Sequence, residues 1–466
     1  MKGKNKYLLK NIGIMTLSKF SSKILTFLLV PLYTSILSTE EYGTYDLIIS
    51  TVQLLYPILC LNIADATLRY VMDKNYDKKG VFNVSLWCVS AASIVFSILA
   101  LIIGWSSIFQ GLNGLWGLII CYFALSSFGE LLAQYAKGQE KVFDLGVAGI
   151  LSTAIAIIAN ILFLVVFKWR MKGFLFATVL ALFSTNLYYV IRLKIWKEIK
   201  YQKVDKVLLK SMLTYCLPLL FTVVAWWVNN SSDKYIVTLM CGVAINGVLS
   251  VAYKIPSVLN TLQGIFIQAW QISAIKEYGN TDQNQFYGNT FGIINFLMCV
   301  ACAWLIFLTK PFANVLYAKD FFDAWQYVPF LLLSSVFNSA SGYLGPILAA
   351  KKDSKAMALS AIYGAIANII LNVVLVYVIG AQGVTIATMI ASFVIYQVRK
   401  NAVVADICIE RYQAVLITWV LLIVQAIIEV YTTMWWLEIL LMGAMLFINI
   451  DKFRIILRKY WKGEKK

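Results

Sequence analysis

Five basic side chains lie within long apolar stretches of this sequence or at their ends: Lys19, Lys23, Arg69, Lys234 and Lys254. A charge in such a place needs a task or a route to water. Lys19 and Lys23 stand one helical turn apart among Ser18, Ser21, Ser22 and Thr26, so both ammonium groups share a face. Snorkelling toward the interface is one reading of the pair. Lys23, however, lies about 18 Å into its stretch at 1.5 Å per residue, which favours a water-filled cavity open to the cytoplasm. Asp65 and Arg69 are also one turn apart. They fit a structural ion pair, in which Arg69 would keep donors for a phosphate. Lys254 closely precedes Pro256, which removes a backbone donor and marks a candidate hinge, with Pro31 and Pro57 as further bending points.

Acids and amides complete the set. Asp233 and Lys234 read as an interfacial cap or ion pair closing the outer end of their stretch. Glu130, deep in another stretch, is expected to be protonated, paired or coupled to an ion. Asp65 and Glu130 are accordingly the candidate ion-coupling acids. Trp226, Trp227, Asn229 and Asn230 cluster in one stretch, and Gln263, Gln268, Trp270 and Gln271 in the next. Aromatic faces beside amides suit sugars, and they equally suit an interfacial belt with interhelical hydrogen bonds. Several cations with little compensating acid favour an anionic ligand, and phosphate or diphosphate fits best.

These residues need a frame to position them. Apolar residues make up 61% of the 466-residue chain and its mean hydropathy is +0.76, which excludes an ordinary soluble protein. About fourteen stretches reach membrane-spanning length. They run over 11–37, 44–72, 81–104, 114–136, 143–167, 173–195, 210–236, 243–274, 286–309, 324–350, 356–379, 383–408, 412–430 and 434–456. With Met1 in the cytoplasm, thirty of the forty basic residues fall on the cytoplasmic side. Only Lys168, Arg170, Lys172, Lys310 and Lys319 fall outside, which orients the chain with both termini cytoplasmic. The net charge of +17 therefore serves topology and anionic headgroups rather than nucleic acid.

Several chemistries are excluded. The chain has no histidine, so imidazole relays, His metal ligands and Ser-His hydrolysis are out of reach. Its eight cysteines are scattered, and the pair Cys299-x-x-Cys302 reads as small packing residues rather than a metal or redox site. There is no Walker A sequence, and the connections are too short for a soluble catalytic domain. The basic N-terminus followed by a long apolar run is expected to be a retained signal anchor. No cofactor and no enzymatic activity are expected.

The chain also repeats itself weakly about a basic linker at 196–209. Gly173-Phe-Leu-Phe-Ala-Thr-Val-Leu180 matches Gly383-Val-Thr-Ile-Ala-Thr-Met-Ile390, and Ala159-Asn160-Ile161 matches Ala367-Asn368-Ile369. Ala136-Lys137 with Lys141 corresponds to Ala350-Lys351 with Lys355, and Tyr42-Gly43 to Asn246-Gly247. Offsets near 204 to 214 preserve orientation, because six spans separate equivalents. The expected architecture is all-α: a six-helix lobe at 1–195, the linker, a second six-helix lobe at 210–408 related by a pseudo-two-fold, and two extra helices with a basic tail at 409–466. In parallel repeats of this kind the substrate site lies between the lobes.

Ser38-Thr-Glu-Glu-Tyr-Gly-Thr-Tyr45 resembles a turn of the oligosaccharide flippases, the Wzx-type polysaccharide transport branch of the MATE-like superfamily. Leu217-Pro218, Asn230-Ser-Ser-Asp-Lys-Tyr-Ile-Val237 and Gly247 to Pro256 resemble that family's second-half signature. The resemblance spans essentially the whole chain. It implies translocation of undecaprenyl-diphosphate-linked oligosaccharide across the bacterial cytoplasmic membrane, for O-antigen, capsule or another surface polysaccharide. It also implies a cationic cavity for the diphosphate, here Lys19, Lys23, Arg69 and Lys254, with Trp226, Trp227, Asn229, Asn230, Gln268 and Trp270 as candidate glycan contacts. Alternating access would rock the lobes about Pro256. The partners expected are the lipid-linked oligosaccharide, membrane lipids, a proton or sodium counter-ion and the polysaccharide polymerase machinery. The rivals are a multidrug antiporter of the same fold, which would want an acidic cavity, and a polysaccharide polymerase or ligase, which would want a long external loop.

Overall fold

The computed structural model describes residues 23, 27–105, 111–199, 205–452 and 454, and among these the regular structure is all helical, with no strand. Most of the first expected span, including Lys19, lies outside them. The long α-helices follow the apolar runs because a backbone in lipid must satisfy its own hydrogen bonds. Nine described helical segments are long and apolar enough to cross a membrane, and one bent pair makes a tenth. The chain is thus an all-α, multi-pass membrane protein. It packs as two units, Met1–Val228 and Asn229–Lys466.

The first unit holds α1 (Val30–Ile36), α2 (Thr39–Leu59), α3 (Ile63–Met72), α4 (Lys78–Trp105), α5 (Trp116–Gly138), α6 (Val142–Asn160), α7 (Arg170–Leu193) and the start of α8 (Lys206–Cys241). Here the 38–45 motif finds its physical reason. Ser38 and Glu41 form a reciprocal cap on α2: the Glu41 N–H donates to Ser38 Oγ at 3.2 Å, and the Ser38 N–H to Glu41 Oε2 at 2.9 Å. The same Glu41 carboxylate accepts two bonds from Arg170, at 2.8 and 2.9 Å, tying the start of α2 to the start of α7. Tyr45 continues the seam, its ring 4.1 Å from Phe174 and its hydroxyl 2.9 Å from Thr178. α5 packs on α3, α4 and α7.

The second expected span, 44–72, is not one helix. α2 and α3 meet at 57°, because Leu61 and Asn62 both take left-handed backbone conformations, φ 53° and 52°. An asparagine accepts that region more readily than most residues, whereas a leucine pays for it.

The second unit holds the rest of α8, then α9 (Val243–Ala252), α10 (Lys254–Glu277), α11 (Gln283–Phe307), α12 (Thr309–Leu316), a 3₁₀ segment (Lys319–Tyr327) and α13 (Val328–Ala350). It ends with α14 (Ser354–Ile379), α15 (Gln382–Ala402), α16 (Tyr412–Tyr431) and α17 (Trp435–Ile448). α13 is its centre, nearly all buried, with α10, α11 and α15 packed around it. α16 and α17 pack on each other and on α11.

The repeat is visible within each unit. After α5, the N–H groups of Gln139, Glu140 and Lys141 donate to Tyr135, Lys137 and Ala136. After α13, those of Lys351, Lys352 and Asp353 donate to Ile347, Ala349 and Leu348 in the same pattern. The middle residue of each turn is left-handed, Glu140 at φ 61° and Lys352 at φ 60°. The pairing by structure is thus Lys141 with Asp353, two residues away from the Lys141–Lys355 match expected from sequence.

Candidate functional site

In the first unit Lys23 is exposed. Arg69, on α3, is exposed and pairs with Asp73 at 4.0 Å, not with Asp65. Asp65 instead accepts from Asn62 Nδ2 at 2.9 Å, across the left-handed turn that starts α3. The expected Asp65–Arg69 pair is therefore replaced: the 57° bend gives Asp65 a closer partner, and Arg69 turns to the next acid along. A pair that open to solvent is worth little, so Arg69 keeps most of its capacity for an anion. Glu130, half-buried on α5, accepts from Gln134 Nε2 at 2.7 Å.

The Trp226–Trp227 pair divides. Trp226 is 64% exposed, whereas Trp227 is half-buried and its indole N–H donates to the Ser50 carbonyl of α2 at 2.9 Å.

In the second unit Asn229 is half-buried and Asn230 exposed. Lys254 is half-buried in the first turn of α10, directly after the interruption at Tyr253 that separates α9 from α10. Pro256 sits in that same turn, three residues after the interruption at Tyr253. Gln268 is exposed. Trp270 is not: it is 3% exposed, its ring stacks on Tyr343 at 4.4 Å, and its N–H donates to the Tyr343 carbonyl at 2.9 Å. Trp270 is packing for α10 on α13, and a glycan would have to displace Tyr343 to reach its face.

A cluster that the sequence reading placed wrongly lies further along α8. This helix runs on to Cys241, so Asp233 is inside it rather than capping it, and is 3% exposed. Asp233 Oδ2 accepts from the Tyr253 hydroxyl at 2.8 Å and from Thr388 Oγ1 of α15 at 3.1 Å. Its other oxygen, Oδ1, accepts nothing. From α14, Asn372 Nδ2 donates to Asn368 Oδ1 at 2.9 Å, which Ser232 Oγ of α8 reaches at 3.4 Å. The Asn372 oxygen also lacks a donor. Asp233 Oδ1 and the Asn372 oxygen are thus two buried acceptors left without a donor on neighbouring helices, α8 and α14. The signal was present in the sequence as an acid in an apolar run and two asparagines at i, i+4 spacing. What it lacked was any sign that these meet.

No curated protein matches the chain in sequence. Among solved structures it is similar to the lipid II flippase MurJ in an inward closed conformation, at TM-score 0.71 and 18% identity, over 96% of this chain and 99% of that one. It is also similar to a multidrug resistance MATE family transporter of the MOP superfamily, inward-facing, at TM-score 0.66 and 15% identity, over 82% and 95%. A third is a mutant form of the Vibrio cholerae MATE transporter VcmN, at TM-score 0.54 and 12% identity, over 86% and 98%. These likenesses establish the fold. Over residues 8–275 the sequence fits the polysaccharide biosynthesis protein family, and to that family the chain belongs.

Proposed function

We propose that this protein flips an undecaprenyl-diphosphate-linked oligosaccharide from the inner to the outer leaflet of the bacterial cytoplasmic membrane, by alternating access, for surface polysaccharide such as O-antigen or capsule. The observation that carries this reading is membership of a polysaccharide biosynthesis family in a chain whose fold follows a lipid II flippase along nearly its whole length. The charge pattern supports it. Lys19, Lys23, Arg69 and Lys254 are cations within apolar segments, and a diphosphate crossing a bilayer needs such compensation. Trp226, Asn229, Asn230 and Gln268 supply the exposed or half-buried aromatic and amide groups that a glycan would meet. No bond is made or broken, and the termini stay cytoplasmic. A multidrug antiporter would want acids where these cations stand.

A counter-ion would drive the cycle by binding the two states unequally. Asp65 and Glu130 each accept an amide N–H, while Asp233 is buried with one oxygen unfilled, which makes Asp233 the stronger candidate to take a proton or sodium.

The test is lipid-linked oligosaccharide analysis in a deletion strain complemented with wild type, K23A or K254A. Deletion and both variants should accumulate substrate on the inner leaflet and lose surface glycan, with the variants still inserted in the membrane. Wild-type glycan display in both variants would remove the site assignment, and wild-type lipid levels in the deletion strain would refute the function.

A further inference from the structure

Two hairpins occupy equivalent places in the repeat and differ in what they carry. One joins α6 to α7 through a π-helical turn, Ile161–Val166, and the other joins α14 to α15. With Gly173 set on Gly383, the run Phe167-Lys-Trp-Arg-Met-Lys172 corresponds to Tyr377-Val-Ile-Gly-Ala-Gln382. Arg170 and Gly380 then share a place, and both have positive φ, 48° and 63°. Glycine takes that region at no steric cost, whereas Arg170, and Lys168 at φ 55°, take it against their Cβ. The protein uses Arg170, which grips Glu41. It also uses Gln382, whose amide donates to the Gln326 carbonyl at 3.2 Å. Lys168 and Lys172 are different. Both are exposed, and neither ammonium bonds to or pairs with a described residue. Outside the described residues the chain has a single acid, Glu464, in its tail.

What leads up to these lysines fits one leaflet of a bilayer. Ile158, Ile161, Leu162, Val165 and Val166 are exposed along the end of α6 and its π-helical turn, an apolar face suited to lipid chains. Next come Phe167 and Trp169, each about half exposed, with their rings stacked at 5.4 Å. Trp169 also stacks on the buried ring of Phe163 at 5.1 Å, so the indole is held in place, and its N–H donates to no described residue. Tryptophan favours the level where chains give way to headgroups, and lysine the level of the phosphates. Apolar face, aromatic ring and free cation therefore follow one another as chain, glycerol and phosphate do. We propose that the α6–α7 hairpin binds an anionic phospholipid, with its headgroup phosphate against Lys168 and Lys172 and its upper chain along the Phe167–Trp169 stack. The lipid belongs to the outer leaflet, an assignment that rests on the orientation proposed above. The α14–α15 hairpin carries no charge and offers no such grip.

The grip is tested on the full chain in detergent, titrated with phosphatidylglycerol or phosphatidylcholine and read by native mass spectrometry. The wild type should prefer phosphatidylglycerol. A K168Q/K172Q double variant should lose about tenfold or more of that preference, since each cation beside an anionic lipid contributes roughly fivefold. K168G suits the left-handed backbone, so it should unfold at the same temperature or higher and still lose about fivefold. K319Q removes another lysine from the same side of the membrane and should leave the preference unchanged. If the double variant keeps the wild-type preference, or K319Q loses as much, the proposal is wrong. It is equally wrong if undecaprenyl diphosphate displaces the bound phosphatidylglycerol at equal concentration, which would make the hairpin a substrate contact. A membrane-impermeant maleimide on K168C in intact cells reads the leaflet separately. Labelling above the wild-type background supports the outer leaflet, and labelling only after the membrane is opened overturns that orientation, whatever the lipid preference.

Discussion

The two units use the same backbone devices and bury different chemistry. Each ends its central helix, α5 or α13, in the same three-bond turn around a left-handed residue. Each then returns through a helix that starts with a glycine pressed against its predecessor, Gly173 on α7 and Gly383 on α15. The ionisable groups diverge. In the first unit Arg69 is exposed and Glu130 is engaged by a neighbouring amide. In the second unit Asp233, Glu429 and Glu438 are all buried, and the first two carry an oxygen that accepts nothing. Among the described residues the first unit buries one acid, Asp144, which Tyr188 and Arg192 satisfy at 2.8 Å, whereas the second buries three and leaves oxygens of two of them unfilled. Topology is set by backbone contacts that tolerate little change. The functional side chains sit between those contacts and are free to differ.

The largest expected effect tests the scaffold. A Cβ on Gly383 would lie 2.3 and 2.4 Å from the Leu375 backbone carbon and oxygen, whereas one on Gly173 would lie 3.0 Å from the Phe163 and Trp169 Cβ atoms. G383A must push α15 away from α14 and should cost about 3 kcal/mol or more, enough to deplete folded protein in the membrane. G173A asks the Phe163 and Trp169 backbone to give by a few tenths of an ångström, since the Phe163 carbonyl oxygen also lies at 3.1 Å, and should cost about 1 kcal/mol. Thermal unfolding in detergent ranks the two, and equal losses would mean that the glycines are not equivalent devices.

The next effect tests the chemistry. D233N keeps an oxygen for Tyr253 and Thr388, so folding should survive while the charge that attracts a cation is lost. Counter-ion-driven flipping in liposomes should fall about tenfold or more if that charge supplies even about 1.4 kcal/mol of differential binding. E130Q should stay within about twofold of wild type, because Gln134 can bond the amide as it bonds the acid. The opposite ranking would move coupling into the first unit and reverse the comparison.

Much of this was legible in the sequence, and for a physical reason. Spans announce themselves because each apolar run must bury its own backbone, and most described helix ends lie close to the expected ones, although α15 stops at Ala402 rather than 408 and α17 at Ile448 rather than 456. The 38–45 motif was legible as a pattern, though its partner Arg170, 129 residues away, was not. The break at Leu61 and Asn62 was hidden because the apolar run continues through it. Asp233 was misread because its partners Tyr253 and Thr388 are 20 and 155 residues distant, and no periodicity reports such a meeting. Trp270 was misread for the same reason, since what covers it is Tyr343, 73 residues on. The repeat was seen two residues out of register at Lys141, because side chains drift in a duplication while the hydrogen-bonded turn does not.

The smallest expected effect separates the two tryptophans, which sequence treats alike. Trp227 donates its indole N–H to a carbonyl of α2, so it joins two helices of the first unit. W227F keeps a six-membered aromatic ring and deletes the pyrrole that carries the donor, leaving the Ser50 carbonyl short of one bond. The cost should be about 1 kcal/mol, read as a lower unfolding temperature with flipping per folded molecule unchanged. Trp226, 64% exposed, should behave the other way. W226A should change stability by no more than about 0.5 kcal/mol, and if the ring stacks on the glycan it should weaken substrate binding by about 1 kcal/mol, roughly fivefold. A W226A protein with normal substrate affinity and reduced stability would place both rings in the scaffold, and the glycan contacts would then have to come from the amides of Asn229, Asn230 and Gln268.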